Sequence, residues 1–131
     1  MSNEFYKLDG KTPVPIDSMS ELGPMFTDPK ARVVRQTHFS DGRKLSTVFL
    51  VIDHGSTQDA EPILFETMVF GGSYGDEVLA RYSTWDEAEK DHIQIVKHMH
   101  SDGAKVIKAE WKPYSIEDEL ETSRFELMDF E

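Results

Sequence analysis

Hydrophobic positions change their period along the chain, and those changes mark its elements. Arg32 to Phe39 reads as a first strand, and Ser40-Asp41-Gly42-Arg43 supplies the positive φ angles of a hairpin turn. Lys44 to Asp53 is the strongest strand signal. Its segment Thr47-Val48-Phe49-Leu50-Val51-Ile52 is continuous and apolar, which predicts a central strand covered on both faces. His54 to Pro62 has loop composition, Ile63 to Phe70 returns to strand character, Gly71 to Asp76 is a glycine-rich loop, and Val78 to Tyr82 closes the run as a further strand.

The period then becomes helical. Thr84-Trp85-Asp86-Glu87 fits a capping box, and Trp85, Ala88, His92, Ile95, Val96 and Met99 recur on one face. Gly103 is a stop signal. Lys105 to Lys112 alternates again, with Ile107, Ala109 and Trp111 on one side, and Pro113 ends it. Ser115 to Phe130 reads as a short acidic helix with Ile116, Leu120 and Leu127 as its apolar face. Before the first strand, Asp9-Gly10 signals a turn, Pro13 and Pro15 force extended backbone, and Asp17 or Ser18 is placed to cap a short helix over Met19 to Leu22. This order of elements predicts an α+β fold: an antiparallel meander of about four strands packed against one long helix. Residues 1–131 form one domain, with a wrapping arm at 1–30, a sheet–helix core at 31–112 and an acidic extension at 113–131.

Composition narrows the chemistry. There is no cysteine, so thiolate nucleophiles, disulfides and cysteine metal sites are absent. The formal charge of -11 argues against direct contact with nucleic acid or an anionic membrane and leaves basic protein partners open. No leader-like or bilayer-length apolar segment stands in the sequence, so the expected location is cytoplasmic.

Four residues are candidates for chemistry. Asp53 and His54 end the central strand, where a divalent metal or a proton could be handled, although a turn-forming Asp beside an exposed His is the simpler account. Glu66 shares a face with Leu64, Met68 and Phe70, and His92 interrupts the apolar stripe of the helix. If the helix covers that sheet face, the two would meet as a buried pair, either an acid/base site or a satisfied structural bond. His98 and His100 are two apart and do not share a helix face, so no helical two-histidine metal site arises. No transition metal and no cofactor are expected. Gly71-Gly72-Ser73-Tyr74-Gly75 lacks the pattern of a phosphate-binding loop.

Several motifs follow one another in a recognisable order. They are Asp9-Gly10-Lys11-Thr12-Pro13-Val14-Pro15, Ser46-Thr47-Val48-Phe49-Leu50, Asp53-His54, Leu64-Phe65-Glu66-Thr67-Met68-Val69-Phe70-Gly71-Gly72, and Arg81-Tyr82-Ser83-Thr84-Trp85-Asp86-Glu87-Ala88 with His92. Over residues 9–99 the chain resembles a family of small uncharacterised proteins encoded by tailed bacteriophages and prophages. That family carries glycine two residues before the Asp-His pair, where this chain has Val51. The resemblance implies an origin and brings no established activity. With it, the expectation is a non-enzymatic protein that binds a host or phage protein in the infected bacterial cytoplasm, in host takeover or against a host defence. The alternatives are a small-molecule or nucleotide binder or enzyme built on Asp53, His54, Glu66 and His92, and a minor virion or assembly component. A homo-oligomer is compatible with all three.

Overall fold

A computed structural model describes residues 5–55, 61–72 and 75–111, without the side chains of residues 24, 26 and 29. The predicted acidic helix at 115–130 lies outside the described residues. The fold is α+β. Strands β1 (Tyr6–Asp9) and β2 (Thr12–Pro15) form an antiparallel hairpin. A 3-10 turn (Met19–Leu22), a one-turn helix α1 (Pro24–Thr27) and a second 3-10 turn (Pro29–Arg32) lead into the main sheet. That sheet comprises β3 (Val33–Phe39), β4 (Lys44–Phe49), β5 (Phe65–Gly72), β6 (Gly75–Tyr82) and β7 (Val106–Trp111). Its five strands run in the order β6-β5-β4-β3-β7, all neighbours antiparallel. Helix α2 (Trp85–Ser101) packs across β3 to β6 on one face.

Local chemistry explains most of these boundaries. Ser18 caps the first 3-10 turn, and Glu21 reaches back to the Asp17 and Ser18 backbone amides, a complete capping box. Thr84 accepts from the Glu87 amide at 3.2 Å, while its hydroxyl donates to the Glu87 carboxylate at 2.9 Å. The predicted box at α2 is thus half formed: the Glu87 side chain meets the Thr84 hydroxyl rather than its backbone amide. Asp102 caps the far end, and Gly103 follows at φ +104.

Two patterns read differently in three dimensions. The predicted strand over Lys44 to Asp53 stops at Phe49, because Val51 takes φ +72 and turns the chain. Val51 is 3% exposed and belongs to the core, so its side chain holds the residue in a backbone region that disfavours Cβ. Val51→Gly should therefore cost about 1–2 kcal/mol less than Val34→Gly, which loses a fully buried side chain from ordinary strand backbone. Urea unfolding of both variants checks this. The second difference lies in β7. The ladder to β3 slips between His38 and Phe39, so Ile107 is the extra residue of a bulge. Val106 then packs inward with Ala109 and Trp111 following the helix-side register, while Ile107 is 68% exposed. The expected grouping of Ile107 with Ala109 and Trp111 fails for that reason.

The core divides into two clusters along α2. Trp85 and Ala88 meet Val34, Phe49, Val51, Leu64 and Phe65, with Ile16 and Leu22 arriving from the arm. Val96 and Met99 meet Phe39, Leu45 and Val69. Between the clusters lies a polar layer.

Candidate functional site

The polar layer is built from threonines on three adjacent strands. Leu45-x-Thr47-x-Phe49 and Phe65-x-Thr67-x-Val69 pair in register, with Thr47 directly opposite Thr67, and Thr37 stands on the far side in β3. His92 descends from α2 into this row and is fully buried. Its Nε2 lies 2.9 Å from the Thr37 hydroxyl and its Nδ1 2.7 Å from the Thr47 hydroxyl. Thr47 and Thr67 are joined at 2.6 Å, and Tyr82 donates to Asp91 at the edge of the layer.

Tyr82 gives its proton to Asp91. A neutral imidazole has one N–H and one acceptor nitrogen, so His92 donates to one of its two threonine partners and accepts from the other. Burial, with the nearby Arg35 cation adding to it, holds its pKa down to about 3. Burial also raises the Tyr82 pKa, and the hydrogen bond to Asp91 raises it further.

Arg35 borders the layer at 3% exposure. Its guanidinium sits 3.6 Å from the Glu89 carboxylate and 5.8 Å from the centre of the Trp111 ring. The sequence reading missed Thr37, Thr47, Thr67, Arg35, Tyr82 and Asp91. The signal was an alternating apolar-x-Thr-x-apolar pattern on two successive strands, visible only once those strands are placed side by side.

Glu66 does not meet His92. Along β5, Phe65, Thr67 and Val69 face α2, whereas Glu66 points to the opposite face beside Met68. There it lies opposite Arg81 on β6 and accepts from its Nε at 2.9 Å. The expected pairing fails because β5 has large apolar residues on both faces, and alternation alone does not say which face the helix takes. Double-mutant cycles should reflect this. Glu66 and Arg81 should couple by about 0.2–1 kcal/mol, typical of a half-exposed ion pair. Glu66 and His92 should be additive within about 0.5 kcal/mol.

Asp53 and His54 stand beyond the end of β4. Asp53 Oδ1 accepts from Gly55 N at 2.7 Å and Ile63 N at 2.8 Å, tying together the two ends of the loop. The His54 amide donates to the Ile63 carbonyl, and its side chain is exposed. Sheet and loop thus bring no two of the four candidates together except the sequence neighbours Asp53 and His54. Among the described residues, no group of three or more histidine, aspartate or glutamate side chains is arranged to hold a metal ion. No helix among them is long and apolar enough to cross a membrane. No protein family, curated protein or solved structure matches this chain.

Proposed function

We propose that the protein acts by binding another protein, of host or phage origin, in the cytoplasm of an infected bacterium, and not by catalysis. One observation carries this reading. Three of the four candidate groups are spent on internal structure in separate places, and the fourth, His54, lies exposed with only Asp53 of the others near it. His92 is sealed under α2, Glu66 is held by Arg81 on the other sheet face, and Asp53 clamps a loop. What remains for recognition is surface with a strongly acidic overall balance, which suits a partner with a basic face.

Affinity capture with the tagged chain from infected cells, followed by reconstitution from purified components, tests the proposal. The expected result is a stoichiometric complex whose affinity falls as salt rises. Catalytic turnover, or a bound metal or nucleotide lost on substitution of His54 or Glu66, would overturn it.

A further inference from the structure

The main sheet has two faces, and α2 packs on one of them. Directly paired residues share a face, so the ladders map the other. Val33 is paired with Val48, Val48 with Glu66, and Met68 with Val78, while Phe70 alternates with Met68 along β5. Val33, Val48, Met68, Phe70 and Val78 therefore share the face away from α2. None of the five belongs to either core cluster. Val78 is 43% exposed and the other four are half-buried.

The chain leaves the sheet at the edge of this face, after Trp111 of β7. A groove of about 330 Å³ lies at that corner, lined in part by Lys30, Ala31, Val33, Gln36, Glu110 and Trp111. Pro113 has no amide with which to continue a ladder. The sequence that follows, Ser115 to Phe130, places Ile116, Leu120, Leu127 and Phe130 on one helical face. A helix over those positions is about 24 Å long. The distance from β7 to β6 is four strand spacings, about 19 Å. A helix that starts beside β7 is thus long enough to cross the whole face.

Charge selects the same occupant. The segment 115–130 carries six carboxylates and one cation, Arg124, and four of the carboxylates fall early, at Glu117, Asp118, Glu119 and Glu121. The part of the sheet nearest its start is the one with spare cations. Glu66 is matched by Arg81 on β6, far from β7. Around β7, β3 and β4, Lys30, Lys44 and Lys108 outnumber the carboxylates of Asp28 and Glu110. Lys44 has no carboxylate partner among the described residues, and its ammonium lies 4.9 Å from the centre of the Phe70 ring. We propose that residues 115–130 form an amphipathic helix that docks across this face, making a second helical layer opposite α2. Its apolar stripe meets the five side chains above, and its acidic first turns lie beside Lys30, Lys44 and Lys108. The inference is independent of the binding function proposed above.

The chain has no cysteine, so a pair introduced into the full chain supplies its only thiols. V78C with L127C puts one thiol on the outer face at the β6 edge and one late in the segment. A short bis-maleimide should link them within one chain. Q94C with L127C is the control, because Gln94 is exposed on α2, across the sheet. This pair should stay unlinked. Adding L120D to the V78C/L127C chain sets a carboxylate in the apolar stripe and should slow linking at least about tenfold. Salt should slow it as well, by screening the acidic turns from the lysines. Circular dichroism on each variant checks that the fold is kept. Equal linking of the two pairs, or linking indifferent to L120D, would mean that the segment has no fixed seat. Links between chains at high dilution would make a second copy the occupant, and no link in either pair would leave the face to a different partner. Each of these results would overturn the proposal.

Discussion

Acidification should destabilise the protein steeply as the pH falls from 6.5 towards about 3, and substitution of His92 should flatten the curve in that window. The folded state holds His92 neutral with a pKa of about 3, whereas the unfolded chain titrates near 6.5. Between those values the unfolded state binds the extra proton, so the stability due to the neutral ring is full above 6.5 and is lost as the pH drops through the window. The limiting slope is roughly 1.4 kcal/mol per pH unit. Desolvation is the main cause, because protonation would place a cation in a dry layer beside Arg35, whose own charge is already there. His92→Leu removes this dependence. It also leaves Thr37 and Thr47 without their ring partners, at a cost of about 1–3 kcal/mol at neutral pH. Urea unfolding of parent and variant across the pH series gives both numbers. Carboxylates titrate in both proteins, so the informative quantity is the difference curve. Parallel curves would place the ring in water. Nitrogen-15 shifts of the imidazole should report a neutral ring at neutral and mildly acidic pH.

Phe65→Ala should cost about 3–5 kcal/mol. The ring is fully buried between two others, 5.5 Å from Phe49 and 6.2 Å from Trp85, the latter edge to face. Phe49 is its cross-strand partner and Trp85 opens α2, so the ring joins the central strands to the start of the helix. Deleting it leaves a cavity whose walls are held by backbone ladders and cannot close. A domain of this size has about 5–15 kcal/mol in total, so the variant should be close to its unfolding midpoint under mild conditions. Phe70→Ala is the comparison. Phe70 lies further along the same strand on the other face, half-buried beneath Lys44 at 4.9 Å, and should cost less than half as much. Equal losses from the two changes would mean that both sheet faces are equally covered.

Periodicity and capping chemistry determined which segments became which elements. The stripe Trp85, Ala88, His92, Val96 and Met99 is buried as its spacing requires, and Thr84 and Gly103 bracket the helix. Asp41-Gly42 turns between β3 and β4, and Ser18 caps the turn over Met19 to Leu22. These features are local, set by backbone geometry and by side chains within a few residues, so a sequence can display them. The burial of His92 was also legible, because a polar residue in an apolar stripe must be buried with a partner.

The identity of that partner was not legible. Glu66 and the threonines both alternate along the strands, and the choice between them depends on which sheet face α2 covers. That choice belongs to long-range packing: the side carrying Phe49, Phe65 and Val69 offers the larger continuous apolar surface to Trp85, Val96 and Met99. Bulges are hidden for a related reason. The slips that free Leu79 and Ile107 are properties of two strands in register, and no single strand's pattern contains them. The early end of β4 follows the same logic, since core packing around the Val51 side chain outweighs the preference of a β-branched residue for extended backbone. The sequence by itself thus determined the elements and their buried stripes, which arise from contacts a few residues apart. Tertiary structure decided which polar groups meet, because that depends on how distant strands align and on which face the helix takes.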